Sequence, residues 1–203
     1  MESEVNNLQI SSTHFKKWGS FMEKGKVNPL AAQSKEWLLD ALLQLMSEKN
    51  YNDITIKELT KRADLDRKTF YRHFNNKDEL LMLPLAEAFE QYVIGVQKLP
   101  DSKTTKDILV VYFQICLKYM DYLMLLHAND LLLNVLTKFQ EYLPILSDIF
   151  SNDTKIHKRT SYETFFQVGG FWNVTRQWII DGAKETPEEM AEIISSMISL
   201  ISV

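Results

Sequence analysis

The sequence predicts an all-α chain in which three short N-terminal helices, set in a helix-turn-helix arrangement, precede a larger helical domain. Three observations predict it. Of 203 residues 45% are hydrophobic, but only 6 are Gly and 5 are Pro, too few turn formers for a sandwich of many short strands. Apolar residues recur at spacings of three and four from Ser34 onward. The segment starts carry helix-capping signatures rather than hairpin chemistry.

Composition bounds the class further. The apolar fraction excludes collagen-like and wholly disordered chains. Cys116 is the single cysteine, which leaves no intrachain disulfide and no cysteine-framed zinc site, so a reducing, cytoplasmic setting is expected. No window approaches eighteen consecutive apolar residues, and no membrane partner is expected. The net charge of −4 says nothing about nucleic acid, but its distribution does. Between residues 57 and 77 stand Lys57, Lys61, Arg62, Arg67, Lys68, Arg72 and Lys77 against Glu58, Asp64 and Asp66, a local excess of +4.

The elements follow in order. Residues 1–32 read as an N-terminal arm with a basic quartet of Lys16, Lys17, Lys24 and Lys26. Residues 33–83 read as the helix-turn-helix domain. Its first helix starts at Ser34, with Trp37, Leu38, Ala41, Leu42, Leu45 and Met46 on one face and Asn50 as a stop. Thr55 and Glu58 form a capping box, with Ile54 and Leu59 as the staple pair. Asp66 caps the next helix, with Leu65 and Phe70 as its staple, and Asn76 with Glu79 starts the one after. The turn Ala63-Asp64-Leu65 has the three-to-four-residue length that a helix-turn-helix requires.

Residues 84–203 read as the second, larger domain. Pro84 cannot donate to the carbonyl of Leu80 and clashes with it, so a kink or a break is expected near 80–84. Leu99–Thr105 reads as a linker, and Ile108, Val111, Tyr112, Ile115, Tyr119, Tyr122 and Leu123 then form one apolar stripe. Helices are expected over 130–150 and 158–181, with a loop at Ser151–Thr154. The segment 162–180 is apolar on more than one face, and another copy of the chain is the most economical second cover. Gly182 ends that helix, and Thr186-Pro187-Glu188-Glu189 opens an amphipathic last one through Met190, Ile193, Ile194, Met197, Ile198 and Ile201.

Function concentrates in the basic stretch. Arg67, Lys68 and Thr69 occupy the first turn after Asp66, and a recognition helix reads base edges with its N-terminal residues. Arg and Lys donate to guanine O6 and N7, and the Thr methyl meets a thymine methyl. Tyr71 and His73 lie on the flanks, while Thr55 and Lys77 sit at helix starts, placed to hold phosphates.

The run from Ile54 to Leu80, and above all Thr-Phe-Tyr-Arg-His-Phe (69–74) followed by Lys-Asp-Glu-Leu (77–80), resembles the DNA-binding signature of the TetR family of one-component transcriptional regulators. The resemblance implies that Thr55, Tyr71, His73 and Lys77 hold the DNA backbone while Arg67, Lys68 and Thr69 approach the bases. It also implies a repressor that binds an inverted-repeat operator on double-stranded DNA as a homodimer and is released by a small-molecule effector. Two positions depart from the family pattern: Asp64 stands where Gly is common in the turn, and Thr60 where a small residue is usual. Gly169-Gly170, Trp178-Ile179, Gly182 and Thr186 to Met190 resemble one C-terminal subgroup, which implies that the last two helices pair two protomers.

Tyr112, Tyr119, Tyr122, Phe166, Trp172 and Arg176 are the residues expected to line an effector pocket. Among them, Arg176 stands amid Trp172, Ile179 and Ile180 and is expected to need an acidic partner or an anionic ligand. Isolated His127 and His157 give no metal site, and no cofactor is expected. The chain has no glycine-rich phosphate loop, nucleophile elbow or His-Glu-x-x-His motif, so an enzyme is not expected. The rival reading is a helical interaction protein on the same scaffold, with weakened DNA contact.

Overall fold

The computed structural model describes residues 29–137 and 161–201. The basic quartet of the arm, the part of the expected 130–150 helix beyond residue 137, the loop at Ser151–Thr154 and His157 lie outside the described residues. The chain divides into two compact units, Met1–Glu87 and Ala88–Val203. Every described element is helical.

In the first unit, α1 (Pro29–Glu48) is the central rod. It begins earlier than the expected Ser34, opening on Pro29, whose fixed φ suits a first helical position. Ser34 is buried inside it and donates its hydroxyl to the Leu30 carbonyl at 2.7 Å. Leu38, Leu42, Leu43 and Met46 are fully buried, and α1 packs against each of the three short helices that follow.

A 3-10 turn, Tyr51–Asp53, is capped by Asn50 and leads to α2 (Ile56–Arg62). The capping box forms as expected: the Glu58 amide donates to the Thr55 hydroxyl at 3.2 Å, and the Thr55 amide donates to the Glu58 carboxylate at 3.0 Å. Ile54 and Leu59 are buried on either side of the cap. Thr60, the departure from the family pattern, is buried without strain because its hydroxyl donates to the Ile56 carbonyl at 2.9 Å. Asp64 carries φ +54°, so the turn does require the left-handed conformation that glycine adopts most easily.

Asp66 caps α3 (Arg67–His73), accepting the Thr69 amide at 2.6 Å. Phe70 and Phe74 anchor α3 in the core. Asn76 caps α4 (Lys77–Leu81), but Glu79 reaches back to Asn75, not Asn76, accepting from its amide at 2.9 Å and its side chain at 2.8 Å. The helix breaks at Met82, and Pro84 is the second residue of α5 (Leu83–Gln97), inside the span where a break was expected.

In the second unit, Thr104 and Asp107 form a capping box on α6 (Thr105–Lys118). The expected single stripe is broken: α7 (Met120–Ala128) bends away by 66° at Tyr119. Among the described residues no single helix is long and apolar enough to cross a membrane. Tyr92, Val96 and Phe113 sit in the core beside Val111 and Tyr112, and a Cβ built on Gly95 would lie 2.7 Å from Val111 Cγ1.

Residues 132–137 are helical, as expected from the sequence, up to the edge of the described stretch; the next described helix is α8 (Ser161–Ile180), terminated where Gly182 takes φ +84°. It buries Val168, Trp172, Thr175, Trp178 and Ile179. The last, α9 (Pro187–Ile201), is capped reciprocally by Thr186 and Glu189 and packs chiefly on α6, where Lys106 pairs with Glu192. Its apolar residues divide into two sets. Met190, Ala191 and Ile194 are buried, while Ile193 and Met197 are exposed. The side chains of Ile198 and Ile201 lie outside the described residues.

Candidate nucleic-acid interface

The candidate interface is built on α3, which is held from one side only. Phe70, with no exposure, and Phe74 fill the core, and the Phe70 ring meets the edge of Tyr71 at 5.4 Å. Opposite them Arg67, Lys68, Tyr71 and Arg72 face outward, Tyr71 with 51% of its surface exposed. The Arg67 guanidinium sits 6.0 Å from the centre of the Tyr71 ring, one turn on.

The first turn of α3 holds no acid, yet it begins with two cations, against the helix dipole, which favours anions there. Among the described residues neither Arg67 nor Lys68 has an ion-pair partner within 4 Å. Arg62, by contrast, is spent on Glu48 in a two-pronged contact at 2.7 and 2.8 Å.

Thr69 is half-buried on the same turn. His73 is half-buried too; burial, then the neighbouring charges of Arg72 and Lys35, lower its pKa and favour the neutral ring, and its Nε2 is enclosed with no hydrogen-bond partner among the described residues. Thr55 is exposed, but its hydroxyl is engaged with Glu58. That carboxylate is held down to about 2 by the Lys49 ammonium and then by the Thr55 amide and hydroxyl. Lys77 is turned inward, its Nζ donating to the carbonyls of Tyr51 at 2.6 Å and Ile54 at 3.0 Å. So α3 gathers five of the seven expected DNA contacts, and the structure gives Thr55 and Lys77 internal duties as well.

Sequence reasoning missed Arg72 as a site residue, which is exposed on the same helix, and the open cleft of about 300 Å³ that Trp37, Asp40, Gln44, Arg62 and the turn residues Ala63 and Asp64 line. Burial, and then the nearby Glu36, push the Asp40 carboxyl up to about 6. The lone acid within the apolar spacing of α1 was the signal that could have found it.

Two family models match the chain. One, described as bacterial regulatory proteins of the tetR family, covers residues 38–82, and the other, a transcriptional regulator C-terminal region, covers 103–200. The chain belongs to the TetR family of transcriptional regulators. This TetR-family chain is 34% identical over 64 residues to the uncharacterized HTH-type transcriptional regulator YxbF of Bacillus subtilis (strain 168), a match that spans 31% of the chain and 17% of that protein. Among solved structures it is similar to the fatty acid degradation regulator FadR from Bacillus halodurans, with TM-score 0.55 and 14% identity over 85% of this chain and 96% of that one. The dihydroxyacetone kinase operon activator DhaS gives TM-score 0.51 and 18% identity over 82% and 94%. A TetR-like regulator from Rhodococcus sp. RHA1 gives 0.51 and 13% over 84% and 95%. These likenesses establish the fold, and the family establishes a DNA-binding, non-enzymatic regulator.

The residues expected to line an effector pocket are placed unequally in this TetR-family regulator. Tyr119, Tyr122 and Trp172 are buried, and Tyr112 packs its ring on Phe171 at 4.9 Å and Phe113 at 5.1 Å. Gln91 donates to the Tyr119 hydroxyl at 2.9 Å. Phe166 is 67% exposed. Arg176 is exposed as well, so the expectation that it needs a partner amid apolar neighbours is corrected. At 100° per residue the buried arc of α8 runs from Trp172 through Ile179, Val168 and Thr175 to Trp178, and Arg176 falls about 40° beyond its Trp172 edge.

Proposed function

We propose that this regulator binds an inverted-repeat operator as a homodimer, represses from it, and is released when a small ligand enters the C-terminal unit. The observation that carries the reading is the first turn of α3: two exposed cations set against the helix dipole, with no ion pair among the described residues, beside an exposed Tyr71. Such a turn costs stability in the free protein and gains it against the polyanionic groove of DNA. Arg67, Lys68 and Thr69 then read bases, while Tyr71, His73 and Thr55 hold the backbone, with Lys77 beside them. Repression is chosen from the family resemblance; the similar protein DhaS is named an activator.

Exposed Phe166 on α8, with Ile193 and Met197 on α9, supports pairing of two copies through these helices. Among the described residues nothing lies within 4 Å of a Cβ built on Gly169 or Gly170, which supports α8 as a smooth strip for a partner helix. Aromatic side chains of the second unit, Tyr112, Tyr119, Tyr122 and Trp172, supply the wall of an effector site, and Phe166 and Arg176 its rim. α5 runs without interruption from Leu83 to Gln97 and is the covalent route by which an effector reaches the DNA-binding unit.

Selection of bound fragments from a random DNA pool, followed by titration of the recovered site, tests the reading. Binding should fall steeply with salt, and Arg67→Ala or Lys68→Ala should each cost about 1–3 kcal/mol per lost base contact, selectively at the bases they read. A protein that is monomeric in solution and indifferent to every duplex at low salt refutes it.

A further inference from the structure

We propose that Lys77 is an internal positioning residue for DNA recognition, its ammonium clasping the backbone carbonyls of the turn before α2 instead of a phosphate. An ammonium has three N–H donors. Here they meet the carbonyls of Tyr51 at 2.6 Å, Ile54 at 3.0 Å and, more loosely, Asn52 at 3.4 Å. The ammonium also lies 4.2 Å from the centre of the Tyr51 ring, and that ring is buried with its hydroxyl donating to Asp78 at 2.5 Å. The fourth carbonyl of the turn, that of Asp53, receives Lys49 at 3.3 Å. Four successive carbonyls are therefore held by two lysines.

The geometry also resolves a local conflict. Lys77 is the first residue of α4, where the helix dipole disfavours a positive charge. The carbonyls of residues 51–54 supply the negative partner, and burial lowers the Lys77 pKa in keeping with an ammonium withdrawn from solvent. A phosphate could reach it only by displacing one of these contacts. The clasp ties the start of α4 to Ile54, next to the Thr55 cap, and so fixes α2 and α4 against each other while α3 runs between them.

For its effect on DNA this inference rests on the proposed function, but the clasp itself does not. Amine acylation of the full chain, read by peptide mass spectrometry, tests it first. Lys77 should react much more slowly than exposed Lys57, Lys61 and Lys68 in the free protein, and adding operator should change its rate little. Lys77 reacting as fast as those three, with protection appearing only on DNA, overturns the proposal. Lys77→Met should lower Tm and weaken specific and non-specific duplexes by the same factor, with the slope of log K against log salt unchanged. Tyr51→Leu, which removes a side chain buried away from DNA, should do the same more mildly. A slope smaller by about 0.9 per subunit with an unchanged Tm would make Lys77 a phosphate contact and overturn the clasp. If the parent protein binds no duplex, the proposed function fails, and the acylation contrast alone decides the clasp.

Discussion

Asp64 holds the turn between α2 and α3 at φ +54°, a conformation that costs an ordinary L-residue about 1–2 kcal/mol and Asp somewhat less, because a short polar side chain relieves it. The backbone leaves no freedom to escape, since the Leu65 amide donates to the Thr60 carbonyl at 2.9 Å and the Asp64 amide to Lys61 at 3.3 Å. Asp64→Val should therefore lose stability by about 1–2 kcal/mol, since a β-branched residue is the least tolerant of positive φ. Asp64→Gly removes the steric cost but returns about 0.5–1 kcal/mol to the unfolded chain as entropy, for a net gain of less than about 1 kcal/mol. Urea unfolding followed by helical circular dichroism gives both numbers. In a chain of this size each kcal/mol moves Tm by about 2–4 °C, so thermal melts should rank Gly at or above Asp, and Asp above Val. A Val variant as stable as the parent refutes the claim that this turn demands the left-handed region.

Two further predictions concern packing and protonation. Gly95→Ala would place a methyl 2.7 Å from Val111 Cγ1 and should cost about 1–3 kcal/mol by overpacking, largely recovered when Val111→Ala is added; equal Tm values for Gly95→Ala and the parent would contradict it. Asp40, with its carboxyl at about 6 in the folded chain against an ordinary value of 3.8, binds its proton more tightly when folded, so its contribution to stability falls as pH rises from about 4 to about 6. Asp40→Asn should match the parent near pH 4 and exceed it at pH 7, and paired urea melts at the two pH values check the crossover.

The helix starts were legible because a cap is a local device. Thr55 with Glu58, Asp66, Asn76 and Thr186 with Glu189 each stand within three residues of the amide they satisfy. Where the sequence misled, the deciding contact was ambiguous or distant. Asn75 and Asn76 are both amides, and only the folded turn shows which of them Glu79 reaches. The bend at Tyr119 has no Pro or Gly to announce it. The exposure of Arg176 depends on which side of Trp172 the core lies, which spacing alone leaves open. The partners of Lys77 stand 23 to 26 residues away, though a cation at the first position of a helix already signals a conflict that something must offset.

The helices that would face DNA have 7, 7 and 5 residues, well below the length at which a helix persists alone in water. Their order is borrowed from α1 and from the side chains wedged beneath them. In a genetic hunt for lost gene control, lesions at Leu38, Leu42 or Phe70 would then surface as readily as lesions at Arg67. Telling the two sorts apart calls for a measure of how much intact protein each mutant cell retains.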